Sequence, residues 1–156
     1  MDNIRLQLED FDLDFEQKKL RDLSPKIGSI VTFTGLVRDF ENHRDIDSLL
    51  IQHYPEMTET LLQKIVEEAN SRWGLLGTTV IHRIGTLLPS QQIVLVAVAS
   101  QHRNEAFQAA QFIMDYLKTN ATLWKRVSHG EESYWIEPRE SDLRANLRWK
   151  EIDDRR

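Results

Sequence analysis

The feature that most constrains the fold is an uninterrupted apolar run, IVLVAVA, at residues 93–99. The run is too short to span a bilayer, and β-branched residues make up most of it, so it predicts a β-strand. A strand with no polar residue on either side is buried on both faces. We therefore expect a sheet that other elements cover from both sides.

Strands and helices alternate along the rest of the chain. Patterns typical of strands cover residues 28–37, 45–54, 78–84 and 134–137. Apolar residues at helical spacing predict three helices: one that Thr58 caps and Gly74 ends, one that Asn104 caps, and a terminal one over residues 139–150. There is neither a strict β-α-β rhythm nor a glycine-rich phosphate loop, so we expect the α+β class. No linker or repeat interrupts the sequence, and residues 1–156 are expected to form a single domain.

Four local patterns carry further predictions. Gly35, inside the first of these strands, indicates a bulge or a close backbone approach. Phe107 falls on the apolar stripe of the second helix and is expected to be buried. His82, where a strand meets Gly85, is expected to have a structural role. The acid-rich first two dozen residues are expected to form a solvated face.

Composition excludes several classes of protein and site. The chain has no cysteine, which rules out disulfides, thiolate metal sites and a cysteine nucleophile of its own. Its formal charge of -5 argues against a nucleic-acid binder that uses its whole surface. The N-terminal sequence lacks the basic and apolar segments of a secretory signal, so we expect a cytoplasmic protein with no membrane partner. The histidines have no metal-binding spacing, and neither a metal nor a cofactor is expected.

One segment, residues 101–127, is locally basic although the chain as a whole is acidic. It begins where the apolar strand ends and a helix starts, which is a common place for an anion site. Arg38, at the end of another strand, could join it. Structural roles fit the same pattern, since lysines near a helix C-terminus complement the helix dipole. The basic and titratable candidates in the segment are His102, Arg103, Lys118, Lys125 and Arg126.

Eight short segments make the sequence recognisable. They are VTFTGLVRD (31–39), QHYPEMTE (52–59), RW (72–73), VIHRIG (80–85), VAVASQHRNEAF (96–107), FIMDYLKT (112–119), LWKR (123–126) and RESD (139–142). In this order and spacing they resemble the large, catalytic subunit of molybdopterin synthase, the MoaE family. The resemblance covers about residues 28–149. Its most specific part is HR-x-x-AF followed by YLKT and then WK.

The resemblance implies a fold, a reaction and partners. The fold would be an α/β hammerhead type with an additional antiparallel β subdomain. The chain would be a sulfurtransferase of molybdenum cofactor biosynthesis, a homodimer within a heterotetramer. Each copy would bind a small ubiquitin-like sulfur carrier, whose Gly-Gly tail enters the active site as a thiocarboxylate. Sulfur would pass from this tail to cyclic pyranopterin monophosphate and form the dithiolene of molybdopterin.

The resemblance also implies the residues of the site. Lys118 would meet the thiocarboxylate tail, Lys125 would stabilise developing charge, and His102 would shuttle a proton, which makes these three the catalytic candidates. Arginines suit charge-assisted contacts with the substrate phosphate. The implied substrate-binding residues are Leu36, Val37, Arg38, His102, Arg103, Lys118, Lys125, Arg126, Val127 and Arg139.

The sequence departs from the family in four places. Glutamate is common where Gln52 stands and glycine where Glu56 stands. Thr122 and Leu123 stand where the family commonly has Pro-Phe, and loss of the proline is expected to loosen the loop between the lysines. Val127 stands where glutamate is common and removes a carboxylate beside the pocket.

Two alternative functions stay open. A non-catalytic dimeric scaffold that docks the carrier is one alternative, although it would not need both lysines. A nucleotide- or RNA-binding module is the other, against which the negative charge and the missing aromatic platform count.

Overall fold

The computed structural model describes residues 1–41, 44–120, 122–136 and 140–154. The strands and helices within these ranges confirm the predicted α+β class. In chain order they are β1 (Asp2–Gln7), α1 (Leu13–Arg21), β2 (Ser29–Leu36), β3 (Phe40–Glu41), β4 (Arg44–Asp45), β5 (Ser48–His53), α2 (Met57–Arg72), β6 (Leu75–Arg83), β7 (Gly85–Leu87), β8 (Gln92–Ser100), α3 (Arg103–Asn120), β9 (Leu123–His129), β10 (Glu132–Ile136) and α4 (Glu140–Asp154).

The apolar run lies in β8, a central strand of a four-stranded sheet with the order β1-β6-β8-β2. β8 is antiparallel to both of its neighbours, and β1 adds to the outer side of β6 in parallel. Side chains alternate across β8, so that Val96 lies in the main core and Ala97 in a second core on the opposite face. Both are almost fully buried, which confirms the prediction of a strand covered on both sides.

The two faces of this sheet are covered by different elements. The main core contains residues of this sheet, of the second sheet and of the helices α2 and α3, together with Trp149 of α4. The second core lies under α1 and contains Phe11 and Leu20. Most charged residues of the N-terminal segment are exposed, as predicted, but the segment also contributes buried residues to this second core. The segment forms the parallel strand β1 and the helix α1, although its many charges obscure both patterns in the sequence. In α1, the buried carboxylate of Glu16 forms an ion pair with Arg5.

The second sheet has the strand order β10-β9-β5-β7 and is antiparallel throughout. This is the additional antiparallel subdomain that the resemblance implied. β9 was not predicted from the sequence because Lys125 and Arg126 interrupt its apolar pattern. Pairing with β5 on one side and β10 on the other fixes it as a strand.

Several local predictions are corrected and one is confirmed. Thr58 does not cap α2, which begins at Met57, and its hydroxyl bonds elsewhere. Asn104 lies inside α3, which begins one residue earlier. Phe107 is 61% exposed rather than buried. The register of β2 against β8 shifts next to Gly35, as expected for a bulge.

The terminal helix α4 is attached to α3 through a buried carboxylate. Asp115 accepts hydrogen bonds from Arg148 at 2.8 Å, from the Trp149 indole N–H at 2.7 Å and from Gln111 at 2.8 Å. These contacts hold the C-terminal half of α3 against α4. Among the described residues, no helix is both long enough and apolar enough to cross a membrane.

Candidate functional site

A cavity of about 300 Å³ opens where the two sheets meet. The end of β2 and the start of β8 form one side, strands of the second sheet form another, and the end of α3 and the start of α4 complete it. The described residues that line it are Leu36, Val37, Arg38, Glu41, Ile46, Leu49, Ile93, Lys118, Leu123, Lys125, Ile136, Ser141 and Asp142.

Cationic side chains reach this cavity from three separate elements. Arg38 follows β2, Lys118 lies on the last turn of α3, and Lys125 lies on β9. Two carboxylates, Glu41 and Asp142, also line the cavity, so three positive charges face two negative ones. Among the described lining residues this leaves a net formal charge of one positive unit beside apolar side chains, which suits an anion. No group of His, Asp or Glu within the described ranges is placed to hold a metal ion.

The strand pleat explains which residues of β9 reach the cavity. Lys125 and Leu123 alternate with Trp124 and Arg126, and only the first pair lines the cavity. Val127 shares the face of Lys125 but is fully buried in the main core. The alternation thus points Lys125 toward Lys118 and turns Arg126 away.

Arg38 is held in place by a residue that the sequence analysis missed. Its guanidinium forms an ion pair with Glu41, whose side chain is 7% exposed, while that of Arg38 is 58% exposed. The Tyr134 hydroxyl donates to the Glu41 carbonyl oxygen at 3.2 Å and ties this segment to β10. Since Glu41 engages one end of the guanidinium, further N–H donors stay available for an anion. The three-residue spacing of Arg38 and Glu41 was the available signal.

His82 is fully buried, close enough to Lys125 and Lys118 to feel their charges. Its Nδ1 lies 2.7 Å from the Arg83 carbonyl oxygen, which fixes Nδ1 as the protonated nitrogen. Burial lowers the pKa of His82 to about 3, and the nearby charges of Lys125 and then Lys118 add to the effect. The structural role predicted for His82 is consistent with this burial.

His102 and Arg103 do not line the cavity. They lie at the start of α3, whereas Lys118 lies near its end. An 18-residue helix is about 27 Å long, so most of that length separates them from the lysines of the same chain. Both side chains are exposed. The helix predicted after Asn104 already implied this separation, because residues grouped in one sequence segment lie far apart along a helix axis.

The other implied binding residues have different positions relative to the cavity. Leu36 is half-exposed at its rim. Val37 uses its N–H and its carbonyl oxygen on the neighbouring turn, through bonds of 2.9 Å to Gln91 and 2.8 Å to Ser90. Arg126 donates to the Ser133 hydroxyl on the outer face of the second sheet. The predicted contribution of Arg139 falls outside the described residues.

Comparisons of sequence give a consistent result. A sequence model of the family described as MoaE protein matches residues 6–120. The molybdopterin synthase catalytic subunit of Ralstonia nicotianae is 47% identical over 154 residues, which are 99% of this chain and 88% of that protein. The molybdopterin synthase catalytic subunit of Escherichia coli K12 is 53% identical over 122 residues, 78% of this chain and 81% of that protein.

Solved structures share the fold. The molybdopterin biosynthesis MoaE protein of Burkholderia ambifaria MC40-6 has a TM-score of 0.83 at 43% identity, over 96% of this chain and 99% of that chain. A complex of subunits 1 and 2 of molybdopterin-converting factor from Helicobacter pylori 26695 contains a chain with a TM-score of 0.70 at 20% identity, over 88% and 91%. The fold expected from the resemblance is confirmed.

Proposed function

The chain belongs to the MoaE protein family, and from this premise we propose that it is the catalytic subunit of a molybdopterin synthase. It transfers sulfur from the thiocarboxylated C-terminus of a small ubiquitin-like carrier subunit to cyclic pyranopterin monophosphate, which forms the dithiolene of molybdopterin. The observation that carries the proposal is the cavity in which Arg38, Lys118 and Lys125 converge.

Both reactants are anionic, which accounts for the three cations. Arg38 binds the substrate phosphate through N–H donors that Glu41 leaves available. Lys118 engages the thiocarboxylate tail, and Lys125 stabilises charge that develops during transfer. The chain has no thiol, so the sulfur arrives on the carrier and this subunit supplies the electrostatic environment.

A second copy of the chain completes the site. His102 and Arg103 are separated from Lys118 by most of α3, so one copy cannot place all three around one small substrate. In a two-fold dimer, the start of α3 from one copy can face the cavity of the other, and both sites become equivalent. With one carrier on each copy, the assembly is a heterotetramer.

Reconstitution tests the proposed activity. The full chain, the thiocarboxylated carrier and cyclic pyranopterin monophosphate are combined, and dithiolene formation is measured. Lys118→Ala should abolish product, whereas Lys64→Ala, at an exposed position on α2, should match the wild type. A wild-type chain that binds the carrier but makes no product would contradict the proposal and favour the scaffold alternative.

Mixed dimers test the shared site. Lys118→Ala and Arg103→Ala damage different halves of the site, so each should be inactive alone. Random pairing gives half heterodimers, each with one intact site, and about a quarter of wild-type activity should return on mixing. If mixing restores nothing while both variants dimerise normally, a second copy does not complete the site.

Two broader expectations belong to the same proposal. Residues 1–156 act as a single domain, which the main core supports because it draws residues from both sheets and from α2, α3 and α4. The proposal also places the protein in the cytoplasm.

A further inference from the structure

Two hydroxyls join the turn before α2 to the connection between α3 and β9. Thr58, in the first turn of α2, is fully buried. Its Oγ1 lies 2.7 Å from the Thr122 Oγ1 and 3.0 Å from the Thr122 carbonyl oxygen. It also accepts the Tyr54 N–H at 3.0 Å. A hydroxyl has one proton and two lone pairs, so Thr58 is saturated when it donates to the carbonyl and accepts the other two bonds.

In the sequence, Thr122 lies between Lys118 and Lys125, the two lysines that line the cavity. Lys118 is on the last turn of α3, Lys125 is on β9, and Thr122 immediately precedes β9. Thr58 therefore holds this short connection by both the hydroxyl and the carbonyl of Thr122. The loosening expected from the loss of a proline here is opposed by these two hydrogen bonds.

Further contacts hold the connection on each side of Thr122. Toward α3, Asn146 of α4 donates to the Thr119 hydroxyl, which itself donates to the Asp115 carbonyl oxygen at 3.2 Å. Toward β9, the rings of Tyr54 and Trp124 meet edge to face, with their centroids 4.8 Å apart. Thr119, Thr122 and Trp124 are thus each held by a group from another element: Asn146 of α4, Thr58 of α2 and Tyr54 just after β5.

The backbone beside Thr58 is in a strained conformation. Glu56 has φ 67° and ψ -47°, and the Met57 N–H donates to the Pro55 carbonyl oxygen at 2.8 Å, as in a γ-turn. A residue with a Cβ adopts this conformation only where the surrounding contacts hold it. The hydrogen bond from Tyr54 to Thr58 spans the turn and is one of these contacts.

We propose that the Thr58–Thr122 hydroxyl pair positions Lys125 relative to Lys118 for the sulfur transfer. The inference rests on the proposed function and adds a pair of positioning residues to it. Thr58 has no exposed surface, so it acts through the backbone that it holds. Because an error of about 1 Å in the placement of reacting groups can cost about a hundredfold in rate, a small shift of β9 has a large effect.

Matched variants separate this role from general stability. Thr58→Val removes the hydroxyl at nearly constant volume, and Thr58→Ser retains it. Thr78→Val is the control, because Thr78 is also fully buried but its Oγ1 has no hydrogen-bond partner. If Thr58→Val does not fold, Thr122→Val removes the hydroxyl bond from the half-buried partner.

Amide hydrogen exchange in the full chain tests, without any substrate, whether the Thr58–Thr122 hydroxyl pair (the clamp) holds the backbone in place. Thr58→Val should speed exchange at Tyr54, Leu123 and Trp124 by about tenfold, since one buried hydrogen-bond acceptor is lost. Thr58→Ser and Thr78→Val should exchange at the wild-type rate. Unchanged exchange at these amides in Thr58→Val would overturn the proposal, whatever the activity.

Turnover with the thiocarboxylated carrier then tests the consequence. Thr58→Val should lower kcat about tenfold with little change in the KM for the pterin, and Thr58→Ser should restore kcat. Faster exchange with an unchanged kcat would also overturn the positioning role. An inactive wild type would instead contradict the proposed function, and the exchange result would still decide whether the clamp exists.

Discussion

His82 should make the stability of the folded protein depend on pH between 7 and 5. The residue is 1% exposed, and burial together with Lys125 and Lys118 lowers its pKa from 6.5 to about 3. In the unfolded chain the imidazole takes up a proton as the pH falls through 6.5, while the folded protein excludes that proton. The stabilising effect of neutral His82 is therefore fully present above pH 6.5 and is lost progressively toward pH 3.

The size of the effect follows from the shift in pKa. Each pH unit between the two pKa values changes the free energy of unfolding by about 1.4 kcal/mol for one proton. Between pH 7 and pH 5 the His82 contribution should fall by about 2 kcal/mol. Asp10, whose pKa is lowered mainly by a hydrogen bond from Gln92, titrates below this window.

Urea unfolding of wild type and His82→Asn at pH 7 and pH 5, at one protein concentration, measures the effect. Asparagine keeps an N–H donor near the position of Nδ1 but does not titrate. The free energy of unfolding should fall between the two pH values by about 2 kcal/mol more in the wild type than in the variant. Only this difference matters, so a lower stability of the variant at pH 7 does not affect the test. Equal losses in the two proteins would refute the burial of neutral His82.

Two further predictions concern packing. Gly28→Ala would place a Cβ 2.2 Å from the Gln101 carbonyl oxygen and should destabilise the protein by about 1–3 kcal/mol in thermal or urea unfolding. Gly74→Ala is its control, because nothing lies within 4 Å of the new Cβ, and stability should stay equal or rise. Asp115→Ala should cost about 2–3 kcal/mol, because the buried Trp149 indole N–H loses its acceptor, while Glu151→Ala, on the exposed face of α4, should change little. An Asp115→Ala variant as stable as Glu151→Ala would show that this carboxylate does not anchor α4.

The sequence predicted cations that line the cavity, but not how the basic candidates are grouped in space. Lys118 and Lys125 were singled out by their local positive charge and by the resemblance, and both line the cavity. His102 and Arg103 belong to the same sequence segment but lie at the other end of α3. Arg126 follows Lys125 directly and faces the opposite side of the second sheet. Helix length and strand pleat follow simple geometric rules, but the rules can be applied only to elements that have been predicted. Since β9 was not predicted as a strand, the opposite orientations of Lys125 and Arg126 could not be foreseen.

By itself, the sequence determined the central strand, the α+β class and the family. An apolar run of seven residues can be stable only when it is buried on both faces, so local chemistry was enough to place it. Tertiary structure decided the features that depend on long-range contacts. These include the parallel pairing of β1 with β6, the burial of His82 close to two lysines, and the bond from Thr58 to Thr122, residues 64 positions apart in the chain. Such contacts leave no periodic signal, because each depends on where two distant segments meet.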